Sequence, residues 1–437
     1  MKPTIVVSCP IDTYSGYGAR SRDFVKAVIE TDKYDVKILA QRWGNTRFGY
    51  LEDHNENYLE ALIVPKLMSK PDIWVQITVP NEFQNVGTYN IGVTAGIETT
   101  ICDQSWIQGC NRMDLVLTSS EHSKNVFENI NWEVKDNRTG QITSKVSLQK
   151  PVKVLFEGVD LAKYLVTKSK FNLSSIKESF CYLVVGHWLQ GEFGHDRKNI
   201  GYTIKSFLES FKNKSNPPAL ILKTSHATTS LSDREKLIEK IDSIKRTVRG
   251  KLPNIYLVHG DMTDEEINWL YNHPKVKVMV SHTRGEGFGR PLLEFSMTGK
   301  PIIASGWSGH VDFLDKNLAI LLSGTLEQLH NSSVQKNVLL KESSWFKPDD
   351  AAVAGAYRDT FKHYKKYIVL AKKLKFQNKN TFSFDKMVEK LTEILEANVN
   401  VTPQPQQTNL SLPKLSLPKL SKKTEAPKIK LPKLKKV

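Results

Sequence analysis

The chain has 437 residues, of which 40% are hydrophobic and 25% are charged, and its formal net charge is +16. This length suits two ordinary domains, and the composition is typical of a globular protein rather than a fibrous or disordered one. No apolar run reaches the roughly 18 residues of a membrane-spanning helix, and the N-terminal apolar segment is too short for a signal peptide. We therefore predict a cytoplasmic protein whose four cysteines are reduced thiols.

Short apolar strands alternate with helical segments through the first half of the chain. The first strand, TIVVSCP at 4–10, is followed by Gly16 and Gly18 and then by a helix with apolar residues at helical spacing. The polar segment 132–151 is predicted to be a hairpin insertion. Further strands are predicted at 35–41, 73–79, 89–95 and 114–120.

A second series of strands and helices follows and predicts a second domain. Because strands that alternate with helices form parallel sheets, we expect an α/β protein with two facing, Rossmann-like, doubly wound domains. Its strands are predicted at 181–188, 219–225, 254–260, 276–282 and 301–307. The predicted domains are 1–175 and 176–350, followed by helices at 351–397 that pack back across both and by a tail at 398–437.

The tail carries half of the net charge. From residue 401 onward it has nine lysines and one glutamate, and the sequence LPKL begins at Leu412, Leu417 and Leu431. Prolines at this frequency exclude a helix, so we predict a disordered Lys/Pro/Leu tail. It could bind a polyanion or an anionic membrane surface, or serve only as a solubilising arm.

The segment SHTRGEGFGRPLLEFSMTGKPIIAS at 281–305 is the most informative motif. A strand leads through Glu286, Gly287 and Gly289 into a helix that carries Glu294. Bare glycine backbone and the free N–H groups of a helix start bind phosphate, while carboxylates accept hydrogen bonds from hydroxyls. Together these groups predict a site for a nucleoside diphosphate sugar. The alternative is that the two acids only stabilise a helix N-terminus.

This motif resembles the E-x7-E signature of retaining glycosyltransferases with the GT-B fold, particularly those of family 4. The resemblance implies that Glu286 contacts the hydroxyls of the donor sugar and that Glu294 holds the ribose. It also implies that the amides of Phe288 and Gly289 lie near the sugar and phosphate. Arg290 departs from the family, which usually has an apolar residue there, and would either add charge near the phosphates or indicate an unusual acceptor. The resemblance assigns 1–175 to the acceptor and 176–350 to the nucleotide-sugar donor.

Basic residues at the ends of two strands are candidate ligands of the diphosphate. Arg197 and Lys198 follow the first strand of the second domain, and the next strand ends in Lys223. The family resemblance places a glycine after that first strand, here Gly186, and a basic pair further on. Without the resemblance, a loop Arg-Lys pair would be read as a solvated surface.

Gly16 and Gly18 match the glycine-rich loop that the family has near the donor phosphate and acceptor. A plain tight turn is the alternative. A dinucleotide-binding G-x-G-x-x-G motif is disfavoured because the third glycine is replaced by Ser21.

Candidates for the acceptor side are Glu98, His122 and His187, although each histidine could equally be a structural hydrogen-bonding residue. The segment SGWSGHVDF at 305–313 is expected to line the nucleotide pocket. No D-x-D pair and no His or Cys cluster is present, so we expect no metal and no cofactor, with a nucleotide sugar such as UDP-glucose as donor substrate.

The N-terminal third is similar to glycosyltransferases encoded by tailed bacteriophages, which implies a viral origin and a hydroxymethylated DNA base as acceptor. The segments that carry this similarity are WGNTRFGY, VPNEFQNVGTYNIGVTAGIETTICDQSWIQGCNRMD and LTSSEHSKNVF. Two alternatives remain open: transfer to a lipid or surface polysaccharide, and a non-catalytic protein that only binds a nucleotide sugar. The donor base, the anomeric outcome and the oligomeric state are not determined by the sequence.

Overall fold

The computed structural model describes residues 2–136, 138–139, 141–226 and 229–401. The first half of the chain forms a six-stranded parallel sheet, with the order β2-β1-β3-β4-β5-β8, and a separate two-stranded hairpin, β6-β7. The strands are β1 (Thr4–Cys9), β2 (Asp35–Ala40), β3 (Ile73–Ile77), β4 (Tyr89–Val93), β5 (Leu115–Thr118), β6 (Asn131–Lys135), β7 (Ile142–Ser147) and β8 (Val152–Val154). The helices are α1 (Gly16–Glu30), α2 (Tyr50–Asp53), α3 (Asn57–Glu60), α4 (Gln104–Asn111) and α5 (Glu121–Asn129).

Both faces of this first sheet are buried, as its apolar strands require. Ile5 and Val7 of β1 pack on one face with α1, whereas Val6 packs on the other with Trp106 of α4. Successive side chains of a strand point to opposite faces, so a continuous apolar run such as TIVVSC fits a strand covered on both sides. The hairpin predicted at 132–151 is confirmed as the antiparallel pair β6-β7.

The second half forms another six-stranded parallel sheet, with the order β11-β10-β9-β12-β13-β14. Its strands are β9 (Cys181–Val185), β10 (Ala219–Lys223), β11 (Ile255–Val258), β12 (Val276–Ser281), β13 (Ile302–Ser305) and β14 (Ile320–Leu322). Its helices are α6 (Ile200–Phe211), α7 (Leu231–Arg246), α8 (Asp264–Asn272) and α9 (Arg290–Ser296). Two parallel sheets flanked by helices confirm the predicted fold class.

Three elements of the second half were not predicted. Strand β14 adds to the sheet edge, and β15 (Gly324–Gln328) pairs with β16 (Ser344–Pro348) in an antiparallel hairpin. The sequence GTLEQ of β15 is largely exposed and has a single large apolar residue, Leu326. It therefore lacks the alternation by which a strand is recognised in a sequence.

The chain ends in three helices, α10 (Asp350–Lys362), α11 (Tyr364–Thr381) and α12 (Phe384–Asn398). Tyr357 of α10 and Leu374 of α11 are buried in the core of the second half, whereas Leu391 of α12 is buried in the core of the first. Within the described residues, every helix is too short or too polar to cross a bilayer. The tail that we predict to be disordered is 398–437, and its residues from 402 onward lie outside the described part of the chain.

Candidate active site

The loop between β12 and α9 contacts the first half of the chain directly, and its glycines make this contact possible. A Cβ atom at Gly287 would lie 2.1 Å from the carbonyl oxygen of Ala95, and one at Gly285 would lie 1.9 Å from that of Glu98. The hydroxyl of Ser119 donates to the carbonyl oxygens of Ala95, at 2.7 Å, and Gly287, at 3.1 Å. Glycine is thus required here by the close approach of two backbones.

Glu286 lies in this loop between the two halves and is only 5% exposed. Lys198 Nζ donates to one carboxylate oxygen at 2.6 Å, and Arg197 Nη1 donates to the other at 3.1 Å. Arg197 also lies 3.6 Å from the Glu98 carboxylate of the first half. The structure therefore brings together four predicted site residues, two acids and two bases, at the carboxyl ends of both sheets.

These contacts determine the charge of the Glu286 carboxyl group. Burial disfavours its charged form, but Lys198 and Arg197 outweigh burial and lower its pKa to about 2. Burial in turn lowers the pKa of the Lys198 ammonium group, and Glu286 partly offsets this. At neutral pH the site thus holds an ionised carboxylate that can accept hydrogen bonds from hydroxyl groups.

Arg290 and Glu294 form a second charged cluster one helical turn further on. Arg290 Nε donates to Glu294 at 2.8 Å, and Nη1 pairs with Asp23 of helix α1 in the first half. Glu157 lies 4.0 Å from the same guanidinium group. Asp23 and Glu157 are not marked by any motif, so sequence reasoning missed them.

Glu294 is surrounded by further polar groups that join the two halves. Burial and the nearby charge of Asp264 raise the pKa of Glu294 to about 7, although Arg290 acts against this. Asp264 accepts hydrogen bonds from Lys163 Nζ at 2.8 Å and from the Tyr164 hydroxyl at 3.2 Å. The acid that was predicted to hold a ribose is thus already bound to an arginine in this structure.

The segment predicted at 305–313 packs against the Glu286 loop. Ser308 Oγ accepts a hydrogen bond from the Glu286 N–H group at 2.9 Å, and the Gly309 N–H group donates to the Glu286 carbonyl oxygen at 2.9 Å. His310 is completely buried beside them, and burial lowers its pKa. These contacts hold the backbone on both sides of Glu286.

Phe288 and Gly289 have structural roles that are visible in their surroundings. Phe288 is 3% exposed and its ring centroid lies 5.0 Å from that of Phe313. Gly289 has φ +98° at the start of α9, and a Cβ there would lie 2.9 Å from His310. Their proposed amide contacts with a donor remain a prediction.

The glycines near the N-terminus lie inside helix α1 and not in a loop before it, which corrects the predicted helix boundary. Ser15 caps the helix by accepting a hydrogen bond from the Gly18 N–H group at 2.9 Å. A Cβ at Gly18 would lie 2.2 Å from the carbonyl oxygen of Thr13, whereas Gly16 has no atom within 4 Å of that position. Glycine is therefore needed at position 18 because the Thr13 backbone approaches the helix closely there, whereas Gly16 faces open space.

The remaining basic candidate of the second half lies at the end of β10. Lys223 Nζ donates to the carbonyl oxygen of Gly260 at 2.6 Å, and burial lowers its pKa. Gly186 lies beside Lys198, and a Cβ there would be at an ordinary contact distance of 3.4 Å from the lysine side chain.

The two candidate histidines have different surroundings. His187 is exposed, and its Nδ1 atom lies 3.0 Å from Ser225 Oγ. His122 lies edge-on to the Trp307 ring of the second half, with ring centroids 4.6 Å apart. Burial and the neighbouring His310 lower the pKa of His122 to about 4, so the imidazole is neutral at pH 7. Within the described residues, no group of three or more His, Cys, Asp or Glu side chains is arranged to hold a metal ion.

Comparison with solved structures matches about nine tenths of the chain to proteins that include a glycosyltransferase. Anabaena HepE in complex with UDP-glucose is 13% identical, with a TM-score of 0.58 over 90% of this chain and 100% of that chain. A glycosyltransferase from Rickettsia africae is 14% identical, with a TM-score of 0.57 over 91% of this chain and 99% of that chain. Sucrose-phosphate synthase from Thermosynechococcus elongatus is 12% identical, with a TM-score of 0.57 over 91% and 99%.

These likenesses establish that the chain has the GT-B fold, in which two Rossmann-like domains face each other. Neither a scan against protein families nor a search of curated proteins finds a match for the sequence. The similarity to tailed-bacteriophage enzymes has no support in these comparisons. At such low identity a shared fold does not carry function, which has to be argued from the site.

Proposed function

We propose that this protein is a glycosyltransferase that moves a sugar from a nucleoside diphosphate sugar to an acceptor hydroxyl, with retention of anomeric configuration. The observation that carries this proposal is the buried, ionised Glu286 carboxylate, held by Arg197 and Lys198 where the two halves meet. UDP-glucose is the first donor to test, because the similar HepE structure holds it.

The charges at this site suit a sugar linked to a diphosphate. Glu286 accepts hydrogen bonds from hydroxyls of the donor sugar, while Arg197, Lys198 and Lys223 stabilise the negative charge of the departing diphosphate. Lys223 forms no ion pair among the described residues; its ammonium group donates to a backbone carbonyl. Arg197, Lys198 and Lys223 therefore supply the positive charge that a bound metal ion would otherwise provide. We expect sugar transfer to continue in the presence of a chelator.

Glu294 is proposed to hold the ribose of the nucleotide. The Glu294 carboxylate accepts a hydrogen bond from Arg290 at 2.8 Å. When the nucleotide binds, Arg290 therefore has to share this carboxylate with the ribose or release it. A carboxylate can accept hydrogen bonds from both the arginine and a ribose hydroxyl, because its two oxygens accept about four hydrogen bonds in total.

The test is a donor screen in which hydrolysis or transfer is followed by mass spectrometry with UDP-, GDP- and ADP-glucose. We expect the Glu286→Gln variant to lose roughly 100-fold or more in kcat, because the neutral amide no longer complements the donor. The matched control is Glu265→Gln, an exposed acid on α8, which should retain the activity.

If no nucleotide sugar is turned over, or if Glu286→Gln is as active as the wild type, the enzymatic proposal fails and a non-catalytic binding protein becomes the better interpretation. Acceptor classes are screened in parallel, with hydroxymethylated DNA, lipid-linked sugars and free saccharides. The argument for DNA rests on the resemblance to phage enzymes, which the comparisons do not support, and on the net positive charge, half of which lies in the tail.

A further inference from the structure

Helix α11 carries positive charge without any acid. Its 18 residues, YKKYIVLAKKLKFQNKNT, contain six lysines and neither aspartate nor glutamate. These lysines are Lys365, Lys366, Lys372, Lys373, Lys375 and Lys379. All of them except Lys375 are exposed, and the proposed transfer reaction uses none of them.

The opposite face of α11 holds the helix on the second half of the chain. Ala371, Leu374 and Asn378 are buried, at the spacing of three and four residues that places side chains on one face of a helix. The Asn378 amide donates to Ser296 Oγ of α9 at 3.0 Å. Packing therefore sets the orientation of α11 and turns its lysines outward.

The exposed face of α11 has an apolar row between two rows of lysines. Val369 is 56% exposed, and Phe376, the most exposed phenylalanine of the described chain, is 72% exposed. Because seven residues make nearly two helical turns, both side chains lie on one line along the helix, roughly 10 Å apart. Lysines at the same spacing flank this line, with Lys365, Lys372 and Lys379 on one side and Lys366 and Lys373 on the other. We term these five lysines and two apolar residues the lysine face.

The lysine face is not neutralised by neighbouring acids. Among the described residues, none of its lysines forms an ion pair, whereas Lys386 and Lys390 of α12 each pair with a glutamate, at 2.5 Å and 3.4 Å. Asp359 of α10 contacts α11 through the hydroxyl of Tyr367 instead of a lysine. Like charges on one helix face repel each other, so an anionic surface opposite them would be stabilising.

We propose that the lysine face docks on an anionic lipid surface, with Val369 and Phe376 buried at the boundary between headgroups and acyl chains. An amphipathic helix in this position presents its lysines to the headgroups and its apolar side chains to the lipid. Lysines near such a surface are attracted by the negative charge of the lipids. A nucleic-acid duplex is a weaker fit, because its phosphates pair with lysines but do not cover an exposed phenylalanine and valine.

The test is sedimentation of the full chain with vesicles of equal parts phosphatidylglycerol and phosphatidylcholine, compared with vesicles of phosphatidylcholine alone. We expect binding only to the anionic vesicles, and weaker binding at higher salt, because salt screens exposed charges. Phe376→Ala should weaken vesicle binding roughly tenfold, since it removes apolar surface that the lipid covers. The double variant Lys372→Gln/Lys379→Gln should weaken it roughly 25-fold, about fivefold for each lysine.

Two control variants match these changes in charge and in apolar surface. Lys386→Gln/Lys390→Gln removes the same charge from exposed lysines that are paired with glutamates on α12. Leu231→Ala removes a leucine that is 78% exposed at the start of α7, a helix that contains acids as well as lysines. Both controls should bind the anionic vesicles as the wild type does.

The proposal is overturned if the wild type does not sediment with anionic vesicles. It is also overturned if the α11 variants bind no more weakly than their controls, which would assign the binding to net charge or to the lysine-rich tail. Lysine-dependent binding to a DNA duplex, with vesicle binding unchanged in Phe376→Ala, would overturn it as well. The assay contains no nucleotide sugar, so its outcome is independent of the donor screen.

Discussion

At the scale of single residues, Arg290 shows best how a side chain gains its partners only in the folded protein. It was expected near the phosphates because it replaces an apolar residue of the family motif. The structure instead joins it to Glu294 on its own helix and to Asp23 on helix α1 of the other half. Arg290 therefore connects the two halves through a partly buried ion pair with Asp23.

Replacing Arg290 by leucine should lower the free energy of unfolding by roughly 3–5 kcal/mol, because Asp23 and Glu294 would be left buried without their common partner. Chemical denaturation of the purified variant measures this change. The control is Arg249→Leu, since Arg249 is exposed and its loss should alter stability by only about 0.5 kcal/mol. Equal effects of the two substitutions would contradict the bridging role.

At the scale of elements, the loop between β12 and α9 both contacts the first half of the chain and carries a residue of the candidate site. Its glycines were predicted to expose backbone to a phosphate group. In the structure Gly285 and Gly287 allow this loop to touch the backbone around Ala95 and Glu98. The same loop positions Glu286 beside Arg197 and Lys198, so the contact between the halves and the geometry of the site depend on each other.

Gly287→Ala should therefore destabilise the protein, since its Cβ would lie 2.1 Å from a carbonyl oxygen that belongs to the opposite half. We expect a loss of about 1–3 kcal/mol, typical of overpacking, and a lower melting temperature in calorimetry. Gly16→Ala is the comparison, because no atom lies within 4 Å of its Cβ and alanine favours a helix more than glycine does. An unchanged melting temperature for Gly287→Ala would show that the two halves do not approach as described.

At the scale of the whole molecule, the last helix returns to the first half. Helices α10 and α11 pack on the second half, and α12 then places Met387, Leu391 and Leu395 in the core of the first. The chain thus crosses between the halves twice, which limits how far they can separate.

Leu391→Ala tests this arrangement. The side chain is completely buried in the core of the first half, so we expect a loss of about 2–5 kcal/mol in unfolding free energy. Glu389→Ala on the exposed side of the same helix should change stability by only about 0.5 kcal/mol. A small effect of Leu391→Ala, measured by urea denaturation, would mean that α12 is not part of this core.

The contact between the halves should also depend on pH through His122. Burial lowers the pKa of His122 from 6.5 to about 4 in the folded state. Between about pH 6.5 and pH 4, this imidazole therefore binds a proton in the unfolded chain but not in the folded protein. Stability should therefore fall as the pH drops from about 6.5 to 4, and be insensitive to this group above that range.

The measurement is the difference in unfolding free energy between the wild type and His122→Asn at several pH values. We expect the wild type to lose on the order of 1–3 kcal/mol relative to the variant across this range, as a shift of more than one pKa unit implies. A difference that stays constant with pH would show that the imidazole is accessible to protons in the folded state.

The sequence alone determined the sheet architecture and the location of the candidate site. Short apolar runs such as TIVVSC and VKVMVS indicate buried strands, and the GEGFGRPLLE motif places two acids around one turn, so neither signal depends on distant residues. Strand β14 has only three residues, and β15 and β16 lack a regular alternation of apolar and polar residues, so these three strands were missed.

Only the tertiary structure decided which charges meet. Arg290 meets Asp23 and Glu157, which precede it by more than a hundred residues in the sequence. Arg197 meets Glu98, which precedes it by about a hundred residues. An ion pair depends on the distance between two atoms, and for residues in different halves that distance is set by how the halves pack. The partners of Glu286 and Glu294 therefore could be found only in the folded chain.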